Sequence, residues 1–480
     1  MKIAFVGGGS VQWTPMLVTD MALTETLSHA SLVLHDIDAD ALDLLARASR
    51  RIVAQAGAAL HVTTTTDRTE ALRDADFVIL CVSIGGLAAM RNDLEIPQRY
   101  GIYQPVGDTV GPGGLARGLR HIPFAVTVAR EMERLCPRAW LLNLTNPMTT
   151  ICRAITRATS IRTIGLCHEA TRTRRRLARL FDVPVETIVL EAAGINHLPV
   201  ILRCRIDERD GICMLQEWLA ERGPFALMGQ RHVNRVLDLL RSRLAVKLRL
   251  RDAMLTLRDW LASQRSSGLV SQLNLGPAFD GFSDRMAVKL TLLGQLGLLF
   301  GAADRHVAEF FPGFLTEASK RGRRYGIVLT TVDEREGMAR MWRKQVERIA
   351  GGEVGELRHS HEQLAPVMAA LAGGPTGRFI VNVPNRGQID NLPRGAVVEC
   401  IAQVGPQGTH PLAAGTLPQA ACAVIAPHVA RQELVVESAL TGRRKPALAA
   451  LATDPLVRDP ATVEPMLDEL LAANGAFTAA

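Results

Sequence analysis

Cys167 and His197 each follow an apolar run, residues 161–166 and 188–193. Both runs read as buried strands, so both side chains fall at strand ends along one ligand edge. A thiolate and an imidazole together can hold a divalent transition metal and leave positions open for substrate oxygens. The same pair also suits a buried cysteine and a hydrogen-bonded core histidine. Their neighbours weigh against that plainer reading. His168 and Glu169 follow the cysteine and Asn196 precedes the histidine. That is more polar chemistry in one place than packing requires.

A second chemistry is written in the first residues. Gly7-Gly8-Gly9-Ser10-Val11-Gln12 fits G-x-G-x-x-Q, between the apolar run 2–6 and helical periodicity over 15–27. The motif alone is weak and lacks the usual third glycine. Between a strand and a helix it reads as a dinucleotide turn. Gly7 permits the tight bend. Gly9 lets a pyrophosphate approach backbone N–H groups at the helix start, beside Ser10, Val11 and Gln12. An acid at the end of the second strand bonds the ribose hydroxyls, and Asp36 and Asp38 are the candidates. A carboxylate there favours NAD+ over its 2′-phosphorylated form. Ser83 and Asn143, at two further strand ends, complete the expected cofactor contacts. The stretch Asn143-Leu144-Thr145-Asn146-Pro147 is similar to a strand end of malate and lactate dehydrogenases.

These residues need a scaffold that aligns strand ends. Apolar runs alternate with helical stretches through the first 197 residues, which predicts a doubly wound α/β sheet, Rossmann-like and of the lactate/malate dehydrogenase kind. A mainly helical α+β substrate domain is expected over 198–480, with strands near 379–383 and 396–401 and a frayed Ala-rich tail. Residues 104–117 are too rich in glycine and polar residues for a plain linker, and are expected to enclose substrate before entering a helix.

Composition narrows the classes. Lys and Arg number 55 against 48 Asp and Glu, a net +7, with 48% apolar residues. Disorder is excluded as a global description. The longest apolar run, 290–303, contains Gln295 between Lys289 and Asp304, so no membrane span is expected. Gly7 breaks the first apolar run too early for a signal peptide, and a cytoplasmic location is expected. Eight irregularly spaced cysteines imply no disulfide framework. The basic clusters Arg172, Arg174, Arg175, Arg176, Arg179 and Arg241, Arg243, Lys247, Arg249, Arg251 fall in helical stretches without interleaved aromatics. They read as solvated faces or a subunit contact, not as a nucleic-acid surface. The positive balance favours an anionic substrate.

Taken in order, several motifs resemble glycoside hydrolase family 4, the NAD- and metal-dependent glycosidases. They are Gly7-Gly8-Gly9-Ser10, Gly107-Asp108-Thr109 with Gly111-Pro112-Gly113-Gly114, Asn146-Pro147-Met148, Cys167-His168-Glu169, Gly194-Ile195-Asn196-His197, residues 304–312, Asn382-Val383-Pro384-Asn385 and Asn391-Leu392-Pro393. The resemblance covers nearly the whole chain. It implies hydrolysis outside the two-carboxylate scheme of most glycosidases. NAD+ takes a hydride from carbon 3 of the sugar, which acidifies the carbon 2 proton. A base removes that proton while the metal, usually Mn2+, stabilises the charge. The glycosidic oxygen leaves, water adds, and the hydride returns.

By the same resemblance Cys167 and His197 are the metal ligands. Asn146, Asn196, Glu169, Arg91, Arg285 and Arg305 are substrate contacts, the arginines suited to an anionic substituent. A homodimer or homotetramer acting on a small glycoside is implied. His306 fits a structural bond as well as a substrate contact. Many members use a mid-chain tyrosine as the carbon 2 base. This chain has only Tyr100, Tyr103 and Tyr325. Asp108 is the first substitute, followed by His168 and Tyr103. Cys167-His168-Glu169-Ala170 is similar to the Cys-His-Glu-Val pattern of α-galacturonidases and differs at Ala170. An α-galacturonide is therefore the expected substrate. A neutral α-galactoside or α-glucoside, a sulfoquinovoside, and a plain sugar-acid dehydrogenase are the alternatives.

Overall fold

The computed structural model describes residues 1–228 and 284–474. The basic cluster Arg241–Arg251 and the Ala-rich tail beyond 474 lie outside the described residues.

Short apolar runs between glycine turns become strands: β1 (Lys2–Val6), β2 (Ser31–His35), β3 (His61–Thr65), β4 (Phe77–Leu80), β5 (Trp140–Asn143) and β6 (Arg162–Gly165). They pair in parallel in the order β3-β2-β1-β4-β5-β6, the doubly wound arrangement expected. The strands β7 (Ile188–Ile195), β8 (Leu198–Ile206), β9 (Arg209–Asp210), β10 (Gly377–Pro384), β11 (Val397–Gly405) and β12 (Gly408–Pro411) extend the same sheet. The order continues β6-β10-β11-β7-β8-β9. Two strands from the end of the chain thus separate β6 from β7. Helices make up most of the other described residues of the second half.

One lateral row of this sheet positions the chemistry. Val6 pairs with His35 and Leu80, Leu80 with Asn143, and Asn143 with Gly165. Gly165 then pairs with Asn382, Asn382 with Glu399, and Glu399 with Gly194. The ends of β1, β4, β5, β6 and β7 therefore open along one line, beside Asn382 and Glu399.

The segment 104–117 differs from its expectation. Its helix begins early, spanning Gly111–Leu135, and takes the glycines into its first turn. Close packing is the reason. A Cβ on Gly113 would lie 2.8 Å from the Gly107 carbonyl oxygen and 3.0 Å from that of Asp93. The loop is thus only Gln104 to Val110, pressed against the helix. Arg120 on that helix grips Asp93 on the helix Gly86–Arg99 with two bonds of 3.1 and 2.6 Å, both side chains nearly buried.

Candidate active site

The turn between β7 and β8 consists of Asn196 and His197. His197 adopts φ +64°, uncommon for a residue with a Cβ, and its side chain is buried. Its ring stacks on His306, centroids 3.8 Å apart. Thr109 Oγ1 lies 2.7 Å from His197 Nδ1 and 2.7 Å from Asp108 Oδ1. Asn146 Nδ2 donates to the other Asp108 oxygen at 3.0 Å. Asp108, His197 and His306 each offer a donor atom within 4.8 Å of the others. That carboxylate–imidazole set fits a divalent transition metal. Cys167 stands outside this group of three. It is buried two residues beyond β6, with a hydrogen bond to the Asn196 side chain linking it to the β7–β8 turn. Burial pushes its thiol well up, and Glu399 and Glu169 add to the effect.

Charge crowds this edge. Burial alone would raise the Asp108 pKa, but His197, His306 and Arg117 hold it well below the usual carboxylate range. Burial would likewise lower His168, yet bonds to Glu169 at 3.3 Å and Glu362 at 2.9 Å lift it to about 9. His168 therefore keeps its proton near neutral pH, whereas burial lowers the pKa of His197 and His306. Arg305 is electrostatically coupled to Glu169, Asp108 and Glu309. Burial and neighbouring Arg305 pull Arg335 down to about 10, a sign of cations brought together. Arg117 donates to the Asn146 carbonyl at 2.9 Å.

Other expected residues take different places. Glu169 is saturated by protein: it accepts from the Ala303 N–H at 2.7 Å and from Arg172 at 3.1 Å. Arg91 lies apart, paired with Glu95, Asp333 and Glu336. Tyr103 donates to Glu317 at 2.7 Å beside a cavity of about 470 Å³ lined also by Pro312 and Arg458. Arg285 packs along Gly326. Asn143 folds back on Thr145, accepting its N–H and donating to its carbonyl, both at 3.0 Å.

At the glycine turn, Asp36 Oδ2 accepts the Gly9 N–H at 2.9 Å, and a Cβ on Gly9 would meet that carboxylate at 2.6 Å. Only glycine brings the turn so close to the acid at the end of β2. The Ser10 hydroxyl accepts the Trp13 N–H at 3.2 Å at the start of the helix Trp13–Leu23, after Val11 and Gln12. Asp38 is occupied as the cap of the helix Ala39–Ala56, accepting from Ala41 at 2.9 Å. Ser83 accepts the Gly86 N–H through its carbonyl at 2.9 Å.

Several residues of this edge had no role in the sequence reading, although Asn382 and Glu309 stand in motifs that it quotes. Glu399 accepts from Asn196 at 3.1 Å and Asn382 at 3.0 Å, while burial raises it to about 7. A lone acid in the apolar run 397–401, and a lone Asn between Val381 and Val383, were legible signals. Glu362 sits in a polar stretch with no pattern to reveal it. Glu309 accepts the N–H groups of Val106 and Gly107 at 2.7 and 2.9 Å and so holds the loop that carries Asp108.

Burial pushes the Glu309 carboxyl up to about 8. The folded chain keeps a proton that the unfolded chain releases above about pH 4.5. Its contribution to stability is therefore complete at low pH and lost as pH rises through about 8. Glu309→Gln is expected to lose less Tm than the native protein between pH 5 and 8.5 by calorimetry. Parallel curves would contradict this.

Two family models match the chain: Family 4 glycosyl hydrolase over residues 2–183, and its C-terminal domain over 192–457. An alpha-galacturonidase of Thermoanaerobacterium saccharolyticum is 32% identical, over 95% of this chain and 92% of that one. The crystal structure of lplD from Bacillus subtilis superposes with a TM-score of 0.81 at 28% identity, covering 98% and 99% of the two chains. A 6-phospho-beta glucosidase of Thermotoga maritima, solved with manganese, NAD+ and glucose-6-phosphate, shares the fold (TM-score 0.74, 22% identity, 99% of each chain). No helix among the described residues is long and apolar enough to cross a membrane. With both halves matched in order, the chain belongs to glycosyl hydrolase family 4 and is a glycoside hydrolase.

Proposed function

We propose that the protein hydrolyses an α-linked acidic sugar, an α-galacturonide, with NAD+ and a divalent metal such as Mn2+. The observation that carries the substrate reading is the gathering of cations at the sheet edge. Arg117 and Arg305 both act on Asp108, and protonated His168 stands beside Glu169 and Glu362. Such a site stabilises a substrate carboxylate and gains little from a neutral hexose. The motif Cys167-His168-Glu169 and the alpha-galacturonidase relative support the same choice.

The cofactor part is residues 1–197 and the substrate and oligomer part residues 198–480, in a homodimer or homotetramer. The Gly7–Gly9 turn and Asp36 suit NAD+, because the acid repels a 2′-phosphate. Cys167 and His197 would hold the metal, with Asp108 and His306 next to the histidine and free to act as bases. When bound, NAD+ accepts and returns a hydride at carbon 3 and the metal stabilises negative charge on the adjacent oxygens. Asp108 and His306 are unprotonated and can accept the carbon 2 proton. Both are weak bases, so that proton has to be acidified by its neighbours. His168 carries the proton for the departing oxygen.

The test is a panel of aryl α-glycosides with NAD+, Mn2+ and dithiothreitol. The galacturonide is expected to turn over at least tenfold faster than galactoside, glucoside, sulfoquinovoside or 6-phospho-glucoside, and to stop when NAD+ or metal is omitted. Preference for a neutral sugar would overturn the substrate. Steady accumulation of NADH would mark a dehydrogenase instead.

A further inference from the structure

Thr109 has one hydroxyl proton and two close neighbours, Asp108 Oδ1 and His197 Nδ1, each at 2.7 Å. A carboxylate can only accept. The hydroxyl proton therefore goes to Asp108, and the contact to His197 is completed only if Nδ1 carries a hydrogen and donates to the threonine oxygen. Asn146 fixes the far carboxylate oxygen at 3.0 Å, so the acceptor at the end of the chain cannot turn away. The relay runs His197 Nδ1–H to Thr109 Oγ1, then Thr109 O–H to Asp108.

We propose that Thr109 is a positioning residue that locks His197 in the Nδ1–H tautomer and so leaves its Nε2 lone pair as the metal-binding atom. This rests on the metal site described above. A neutral imidazole binds a metal through one nitrogen, and the hydrogen bond made by the other decides which. The strained φ of His197 fixes the backbone and the stacked His306 ring fixes the plane, but neither selects a tautomer. Among the described residues Thr109 supplies that selection, by proton inventory.

The first measurement uses the native, metal-free protein. Long-range 1H–15N spectra of histidine-labelled protein, with His197→Gln to assign the signal, are expected to show Nδ1 protonated and Nε2 bare. A protonated Nε2 overturns the proposal. The second uses Thr109→Val, close to threonine in shape but without the hydroxyl, and Thr109→Ser, which restores it. Mn2+ affinity by electron paramagnetic resonance is expected to fall ten- to a hundredfold in the valine variant, with a mixed tautomer signal, and to recover in the serine variant. Native affinity and an unchanged tautomer in Thr109→Val would overturn the proposal. Native protein that takes up no Mn2+ overturns the metal reading beneath it, a failure distinct from a wrong tautomer in protein that binds the ion.

Discussion

Cys167→Ala and His197→Ala proteins are expected to fold, to bind NAD+, and to lose about 10³-fold in kcat/KM, close to 4 kcal/mol of transition-state stabilisation. Cys167 lies at the end of β6 and His197 in the β7–β8 turn, so each truncation opens little of the sheet's core. The loss should appear in kcat, because stabilisation of charge formed during reaction is removed rather than uniform binding. Isothermal titration with Mn2+ and with NAD+ separates the two ligands. A Cys167→Ala enzyme with native kcat would remove the thiol from the metal set and leave Asp108, His197 and His306 as its donors.

Charge discrimination is the second large effect. Arg305 is coupled to Asp108, Glu169 and Glu309 at the site edge. If it holds a substrate carboxylate, Arg305→Gln forfeits a charge-assisted bond worth about 3 kcal/mol, or roughly 10²-fold in kcat/KM on the galacturonide. The neutral galactoside should change far less, so the preference between the two substrates collapses. Arg305→Lys is expected to restore only part of it, because an ammonium lacks the paired donors of guanidinium. Equal losses on both substrates would show that Arg305 serves the fold rather than the carboxylate.

The cofactor half was legible because its signals are local. A glycine turn between a strand and a helix, and an acid after the next strand, fix Gly9 beside Asp36 by chain geometry alone. The strand order beyond β6 was not legible. Whether residues 377–405 pair with β6 depends on contacts more than two hundred positions apart, which no periodicity encodes. For the same reason Glu362 escaped notice: its role exists only because a polar stretch passes close to His168. Asp108 was visible as a loop acid, but its low basicity comes from His197, His306 and Arg117 converging in space. The early start of the helix at Gly111 follows from the close approach of Gly113 to Gly107, which sequence shows only as an abundance of glycine.

The central claim is that the glycosidic bond breaks after a proton leaves carbon 2 and that a solvent proton replaces it. Hydrolysis in D2O, followed by mass spectrometry and NMR of the released sugar, tests it directly. One non-exchanging deuterium at carbon 2 is the expected product, formed only with NAD+ and metal present. A released sugar that keeps its original hydrogen at carbon 2 would contradict the account and return the enzyme to an ordinary displacement mechanism.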